Sequence, residues 1–399
     1  MSTPHSTYDL VIESVPGETR AALMRDGLLI ELLILRRTDP PRLGESYQGR
    51  VARFEHGFNA AFVDIGAGPP GFLPLSKAAQ RLIEGAQVFV AIAAEAARGK
   101  GPRLTTNIPV ADRTAGAMEK IPAQIQRETD LAALALCAFM NLPLDRIVAD
   151  GAACFARVRA AARERKPDLG ACVERHVGPE PAFDALGIEE QIENALAATV
   201  VLDSGLRLRF DEIEALTAID IDAASYAPRR GSRATALSAN LAAVDEIARQ
   251  IRLRNLSGLI LVDFLRMKDA SERKRIAEAV ARATTGDPIL VHIHGFTRTG
   301  LLELTRERRR RPLSQVLLES DTPRLKSAET VAREALRAVS RARLSGRSML
   351  ALAAAPDVIA WLEGEGKSDV TDVEAALHVG LALRPVPDFP RDKFEIAPG

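Results

Sequence analysis

The sequence predicts a multidomain α/β protein with a small closed β-barrel built into it, and three observations carry that prediction. Over the second half, apolar strand-like runs alternate with helix-length amphipathic stretches: a strand at 214–222, a helix at 234–255, "GLILVDF" at 258–264, a helix at 271–284 and "DPILVHIHGF" at 287–296. That alternation is the mark of an α/β sheet. Between Tyr47 and about Thr106 the pattern changes to short strands broken by glycine and proline, as in "YQGRVARFEHGFNAAFVDIGAGPPGFLPL", which suits a closed barrel. Third, 399 residues exceed what a single hydrophobic core usually organises.

The remaining elements follow in order. Residues 8–38 read as a β-rich start in which "LLIELLIL" is a buried strand or a short helix, and "RTDPPRLG" (37–44) is a connector. Residues 117–145 read as helical. "RIVAD" (146–150), a basic amphipathic helix over 152–165 and "ACVERHV" (171–177) form a strand–helix–strand unit. After a helix containing "IEEQIENAL", residues 199–210 alternate around an Asp-Ser-Gly turn as a hairpin does. The cationic run "LTRERRRRPL" (304–313) precedes a further small α/β unit at 325–399.

Composition narrows the class. Hydrophobic content of 47% and charged content of 27% exclude a disordered chain and a membrane-embedded one. Acidic and basic residues balance at 53 each, so only the distribution of charge bears on a polyanionic partner. The N-terminus has no basic segment leading into an apolar one, and no apolar run approaches the roughly 20 residues of a spanning helix. Cys137, Cys154 and Cys172 lie far apart, which suits buried thiols in a reducing compartment and leaves no local cysteine zinc site. A cytoplasmic protein is expected.

Chemistry concentrates in a few places. Asp220 and Asp222 share one face of their strand while Ile219 and Ile221 occupy the other. Neighbouring carboxylates repel, and a divalent cation relieves that cost. The competing reading is a strand that surfaces and leaves both acids solvated. "GLILVDF" reads as a strand buried on both faces with Asp263 near its carboxyl end, where open α/β sheets place their sites. Together the three acids favour Mg²⁺, with Mn²⁺ also fitting the hard oxygen donors.

In the barrel region, Tyr47, Phe54, Phe58, Phe62 and Phe72 interleave with Arg50, Arg53, Lys77, Lys100 and Arg103. Aromatics and cations on such a barrel suit single-stranded nucleic acid, although core filling competes and is the better reading for Phe54. His292 and His294 read as surface or satisfied histidines rather than ligands. Arg308 to Arg311 read equally as a solvated helix end or a phosphate-contacting patch.

"ALTAIDIDAAS", "NLAAVDEIARQIRLRNLSGLILVDF" and "HGFTRTGLLELTRERRR" closely resemble the catalytic core of the ribonuclease E/G family of bacterial endoribonucleases. The barrel segment resembles that family's S1-type OB domain. The resemblance implies an RNase H-like subdomain (1–39 and 130–200) interrupted by the S1/OB RNA-binding domain (40–108). It further implies a shortened 5′-sensor remnant (109–129), a DNase I-like catalytic domain (201–322) and a small C-terminal domain (325–399). It also implies Mg²⁺-dependent cleavage of single-stranded RNA in rRNA or mRNA processing, leaving 5′-phosphate ends. Asp220 and Asp263 correspond to the two metal-holding aspartates, with Asp222 beside them in the catalytic set. Phe62, Phe72 and Lys100 match positions that grip RNA.

Three departures from the family pattern stand out. Asp222 occupies a position that is usually Asn. The family's zinc-sharing CPxC link is absent from "RPLSQVLLESDTPRL", so neither structural zinc nor a zinc-linked dimer is expected, while a homo-oligomer remains open. The 5′-monophosphate sensor segment is shortened. Its RTAG motif is present at Arg113 and Thr114, which could contact a terminal phosphate, but weak 5′-end dependence is expected. The leading alternative to an endoribonuclease is an RNA-binding protein of the same fold with weakened catalysis. A Mg²⁺ phosphohydrolase of small substrates has no need of the barrel.

Overall fold

A computed structural model describes residues 7–75, 82–96, 99–108, 121–126, 130–223, 226, 235–320, 322, 324–342 and 348–399. The chain divides into two units. One comprises 1–37, 130–307 and 312–399; the other comprises 38–129 and 308–311.

The first unit opens with an antiparallel meander of β1 (Tyr8–Val15), β2 (Glu18–Arg25) and β3 (Leu28–Arg36). Asp26 and Gly27 join β2 to β3, both at positive φ (52° and 78°), the two-residue turn whose twist matches that of a hairpin. "LLIELLIL" is therefore a strand.

The second unit carries β4 (Ser46–Glu55), β5 (Ala60–Asp64), β6 (Gly71–Pro74), β7 (Gln87–Ala94), β8 (Arg103–Thr105) and β9 (Ala123–Gln126). Five of these close in the order β4–β5–β6–β8–β7–β4, and β9 adds to the outside of β4. Tyr47, Val51, Val63, Leu73, Val90 and Leu104 fill the interior. The closed, mixed barrel fits an OB-type domain.

The helix expected over 117–145 shrinks to α1 (Leu131–Phe139). Residues 123–126 instead pair with β4, because an available strand edge overrides weak local preference. Asp130 starts α1 by accepting hydrogen bonds from the amides of Ala132 and Ala133.

Back in the first unit, β10 (Leu144–Asp150), α2 (Ala152–Arg165) and β11 (Val173–His176) complete a sheet ordered β11-β10-β1-β2-β3, with β10 parallel to both β1 and β11. Its two faces are covered. Leu10, Ile12, Leu136, Phe139 and Val158 pack on one side; Val11, Ala22, Phe183 and Ile188 of α3 (Ile188–Leu196) pack on the other.

A second sheet follows, built from β12 (Thr199–Val201), β13 (Arg207–Glu212), β14 (Leu216–Asp222), β15 (Gly258–Asp263), β16 (Val291–Phe296) and β17 (Leu302–Arg306) in the order β12-β13-β14-β15-β17-β16. Helices α4 (Ala236–Leu253) and α5 (Ala270–Thr284) share one core with it. Ile219, Ile221, Ile260, Val262, Leu302 and Leu304 from the strands meet Val244, Ile247, Ile276 and Val280 from the helices, each such side chain contributing about 1.5–3 kcal/mol of burial free energy.

The alternate positions of these strands point away from that core. "GLILVDF" is accordingly not buried on both faces: Ile260 and Val262 are fully enclosed, Leu259 and Leu261 are half-buried, and Asp263 is exposed. Continuous apolarity thus conceals a one-sided strand. A last layer of α6 (Ala328–Ser340), β18 (Met349–Ala354), α7 (Pro356–Glu363), α8 (Lys367–Leu377), β19 (Gly380–Pro385) and β20 (Phe394–Pro398) forms the expected small α/β unit, its sheet ordered β19-β18-β20.

Candidate functional site

The uncovered face of the second sheet gathers the predicted acids. β14 runs parallel to β15 with Asp220 directly opposite Asp263, and Asp222 lies one repeat further on the same face. All three are exposed, while Ile219 and Ile221 between them are buried. The alternation that sends two isoleucines into the core therefore presents the aspartates outward at the carboxyl ends of two parallel strands.

Asp220 and Asp263 accept no hydrogen bond and make no ion pair with any described residue. Adjacent strands stand about 4.8 Å apart, so the two carboxylates converge on one small volume. Hard oxygen donors brought together without an internal cation fit a divalent ion such as Mg²⁺. Among the described residues no group of three or more His, Cys, Asp or Glu side chains is arranged to hold an ion. The protein thus supplies a pair of carboxylates, and water or substrate oxygens would complete the shell.

On the other side of β14, the antiparallel strand β13 sets Arg209 opposite Asp220 and Arg207 opposite Asp222. Both arginines are exposed. Arg209 donates to both carboxylate oxygens of Asp211, at 2.9 and 3.3 Å, and Asp220 lies within its electrostatic reach. Sequence reasoning passed over these two residues. The signal was present in "LRLRF", whose arginines recur with the period of a strand, but their place beside the acids depends on a pairing that local sequence does not show.

His292 and His294 are exposed on the neighbouring edge, and the His294 ring is 2.9 Å from the Thr305 hydroxyl, consistent with a satisfied surface histidine. In the arginine run, residues 307–312 lie in neither a helix nor a strand. Arg306 is buried and ion-paired to Asp287 at 2.8 Å. Within the barrel unit, Arg311 bonds Asp39 at 2.7 Å and its amide donates to Glu95.

On the barrel, Phe62 and Phe72 sit opposite each other on β5 and β6, half-buried, with ring centroids 5.8 Å apart and nearly edge-to-face at 72°. Arg53 lies over the Phe62 ring at 4.2 Å, and Arg103 is the register partner of Phe72. Lys100 is exposed. Phe54 is partly buried against the barrel core, as expected of a filler. This face offers π-surfaces rimmed by cations, the combination that stacks bases and meets phosphates. Lys77, Arg113 and Thr114 lie outside the described residues.

Cys154 is buried, and burial pushes its thiol up to about 12, so it is an inert packing residue. Cys137 and Cys172 are only half-buried. No helix among the described residues is long and apolar enough to cross a membrane.

A model of the ribonuclease E/G family matches residues 104–309, just over half of the chain, and the chain belongs to that family. Among its relatives, Ribonuclease G of Escherichia coli (strain K12) is 26% identical over 486 aligned positions that take in 98% of this chain and 99% of the relative. Ribonuclease G of Haemophilus influenzae is 28% identical, covering 97% and 99% respectively. Ribonuclease E of Escherichia coli (strain K12) is 29% identical over 90% of this chain and 42% of its own length. An alignment of 486 positions against 399 residues means that Ribonuclease G carries segments absent here, in keeping with a shortened family member.

Proposed function

We propose that the protein is a Mg²⁺-dependent endoribonuclease that cuts single-stranded RNA in rRNA or mRNA processing and leaves 5′-phosphate ends. Its membership in the ribonuclease E/G family makes it an endoribonuclease acting in RNA processing. The observation that carries the finer reading is the register pairing of Asp220 with Asp263 on an open sheet face.

In this reading Asp220 and Asp263 hold the cation, fixed by strands whose other faces are locked into the core. Mg²⁺ bound there supplies a lowered pKa for an attacking water and charge to offset the phosphate in its transition state; Mn²⁺ can substitute. Asp222 adds a third carboxylate at the edge of the pair. Phe62 and Phe72 stack bases while Lys100 meets the backbone, so the barrel holds the strand and the sheet cuts it. The first sheet, with its β11-β10-β1-β2-β3 order, suits the RNase H-like subdomain, and the second suits the DNase I-like one. The chain acts in the cytoplasm, and a terminal phosphate contact through Arg113 and Thr114 is minor.

The test is cleavage of an AU-rich single strand in Mg²⁺, with EDTA and Asp263→Asn controls. Losing one of two carboxylate ligands removes several kcal/mol of transition-state stabilisation, so Asp263→Asn should slow cleavage about a hundredfold or more while RNA binding persists. Cleavage indifferent to Asp263→Asn would overturn the assignment. Binding without any Mg²⁺-dependent cleavage by the wild type would favour a catalytically weakened RNA-binding protein, the reading that the third carboxylate, Asp222, supports.

A further inference from the structure

We infer that Phe58 is a further base-stacking position of the barrel, whose ligand is an unpaired base of the same RNA strand that Phe62 and Phe72 hold. The inference rests on reading the Phe62–Phe72 face as the part that grips RNA, and it lengthens that face.

Exposure singles Phe58 out. The residue is 76% exposed, whereas all the chain's other phenylalanines are buried or half-buried. No other aromatic residue among those described is exposed. No ring or cation of a described residue stacks on it either. Its apolar surface gains nothing from folding and is left for a partner.

The turn that carries it is fixed. Phe58 closes a single 3₁₀ turn, His56–Phe58, between β4 and β5. Asn59 ends that turn in the left-handed region at φ 47°, which asparagine tolerates better than most residues. The Asn59 carbonyl accepts from the Leu75 amide at 2.9 Å, and its side-chain amide donates to the Leu75 carbonyl at 3.1 Å. This two-way clamp ties the tip to the end of β6, so little loop ordering remains to oppose binding. On the same hairpin the rings of Phe54 and His56 are stacked, 6.1 Å apart at 18°.

Continuity with the Phe62–Phe72 face selects the ligand. Phe58 and Phe62 are four residues apart along one hairpin, at most about 14 Å of chain, a gap that fits within the roughly 4–16 nucleotides one such barrel covers. β4 and β5 are the first two strands of the barrel, and in OB folds the connection between those strands contacts the bound oligonucleotide. Arg53, in register with Phe62 and lying over its ring, adds a cation on the same hairpin. Its 3.3 Å pairing with Glu55 is exposed and so holds it only weakly. An aromatic ring stacks on any base, so this position adds affinity without fixing sequence.

The experiment measures affinity for a labelled single-stranded RNA by fluorescence anisotropy in EDTA, across a salt series. Phe58→Ala should weaken binding at least about fivefold, the effect of losing one stacked base. It should leave the slope of log affinity against log salt unchanged, because no phosphate contact is lost. Phe58→Tyr should keep the wild-type affinity. Phe58→Trp should show quenching on RNA addition beyond that of the wild type, whose single tryptophan is Trp361. The melting temperature of Phe58→Ala should match the wild type, since an exposed side chain adds little to stability. Phe62→Ala is the control for the face itself. Weaker binding in Phe62→Ala alone, the outcome expected if Phe58 served a protein partner instead, would overturn the inference and leave the RNA-gripping face standing. No effect from either variant would overturn both.

Discussion

The molecule contains the same arrangement twice, with opposite outcomes. In the first sheet Glu13 of β1 stands in register with Asp150 of the parallel strand β10; in the second, Asp220 stands in register with Asp263. The first pair is enclosed, with the side chains of Glu13 and Asp150 only 2% and 15% exposed. It has also been given cations by the protein itself. Arg20 donates to Glu13 at 2.9 Å, and Arg341, just past the end of α6, reaches both Glu13 and Asp150. A cavity of about 640 Å³ bordered by Asp150, Glu189, Arg337 and Arg341 opens beside it. The second pair faces solvent and makes no ion pair with a described residue; Arg209, within electrostatic reach of Asp220, is itself bonded to Asp211. Two acids on adjacent parallel strands are thus a structural joint when arginines form ion pairs with them and a candidate ion site when no described residue does.

The arginines around the first pair belong to a larger joint. Glu18 pairs with Arg36 at 2.8 Å and also with Arg337, while Arg333 bonds Asp369 at 2.9 Å, tying the β1–β3 meander to the C-terminal layer. Removing one partner from an enclosed network leaves an uncompensated charge, which costs about 3–5 kcal/mol.

The comparison can be broken most forcefully through stability. Arg20→Met, which strips Glu13 of one cation, should lower unfolding free energy by about 3 kcal/mol in urea denaturation. Asp220→Asn, which changes an exposed acid, should stay within about 0.5 kcal/mol of the wild type. Equal costs for the two would mean that the pairs do not differ in kind.

A second distinction lies in pH. Burial alone would raise the Glu18 carboxyl, but Arg337 and then Arg36 outweigh it and hold it at about 2, against an ordinary 4.5. Its contribution to stability is therefore complete above about pH 4.5 and is lost as the pH falls toward about 2. Thermal melts between pH 6 and 2.5 should show this fall. Glu18→Gln should be less stable at pH 6 and flatter across that range; an unaltered profile would remove the carboxylate from the joint.

Much of the second sheet was legible in the sequence because alternation is a local signal. Ile219 and Ile221 mark the inner face, so Asp220 and Asp222 had to share the outer one. Asp263 was legible as an acid ending an apolar run, although the run itself misled. Leu259 and Leu261 on the open face are half-buried, and the chain spells them like core residues. What local reading could not supply was pairing: that β13 places Arg207 and Arg209 beside the acids depends on the fold of the hairpin. The first acid pair was invisible for a related reason. Glu13 and Asp150 are 137 residues apart, as are Asp9 and Arg146, which form an ion pair across the same two strands. Charged residues such as Arg20, Arg333 and Arg337 also read as surface until the structure buries them.

The most direct test is Mn²⁺ binding followed by electron paramagnetic resonance, with a single-stranded DNA that cannot be cleaved bound to the wild type, Asp263→Asn and Asp150→Asn. The expected result is a bound ion in the wild type and in Asp150→Asn that disappears in Asp263→Asn. An ion retained by Asp263→Asn, or lost from Asp150→Asn alone, would contradict the assignment of the open pair as the ion site.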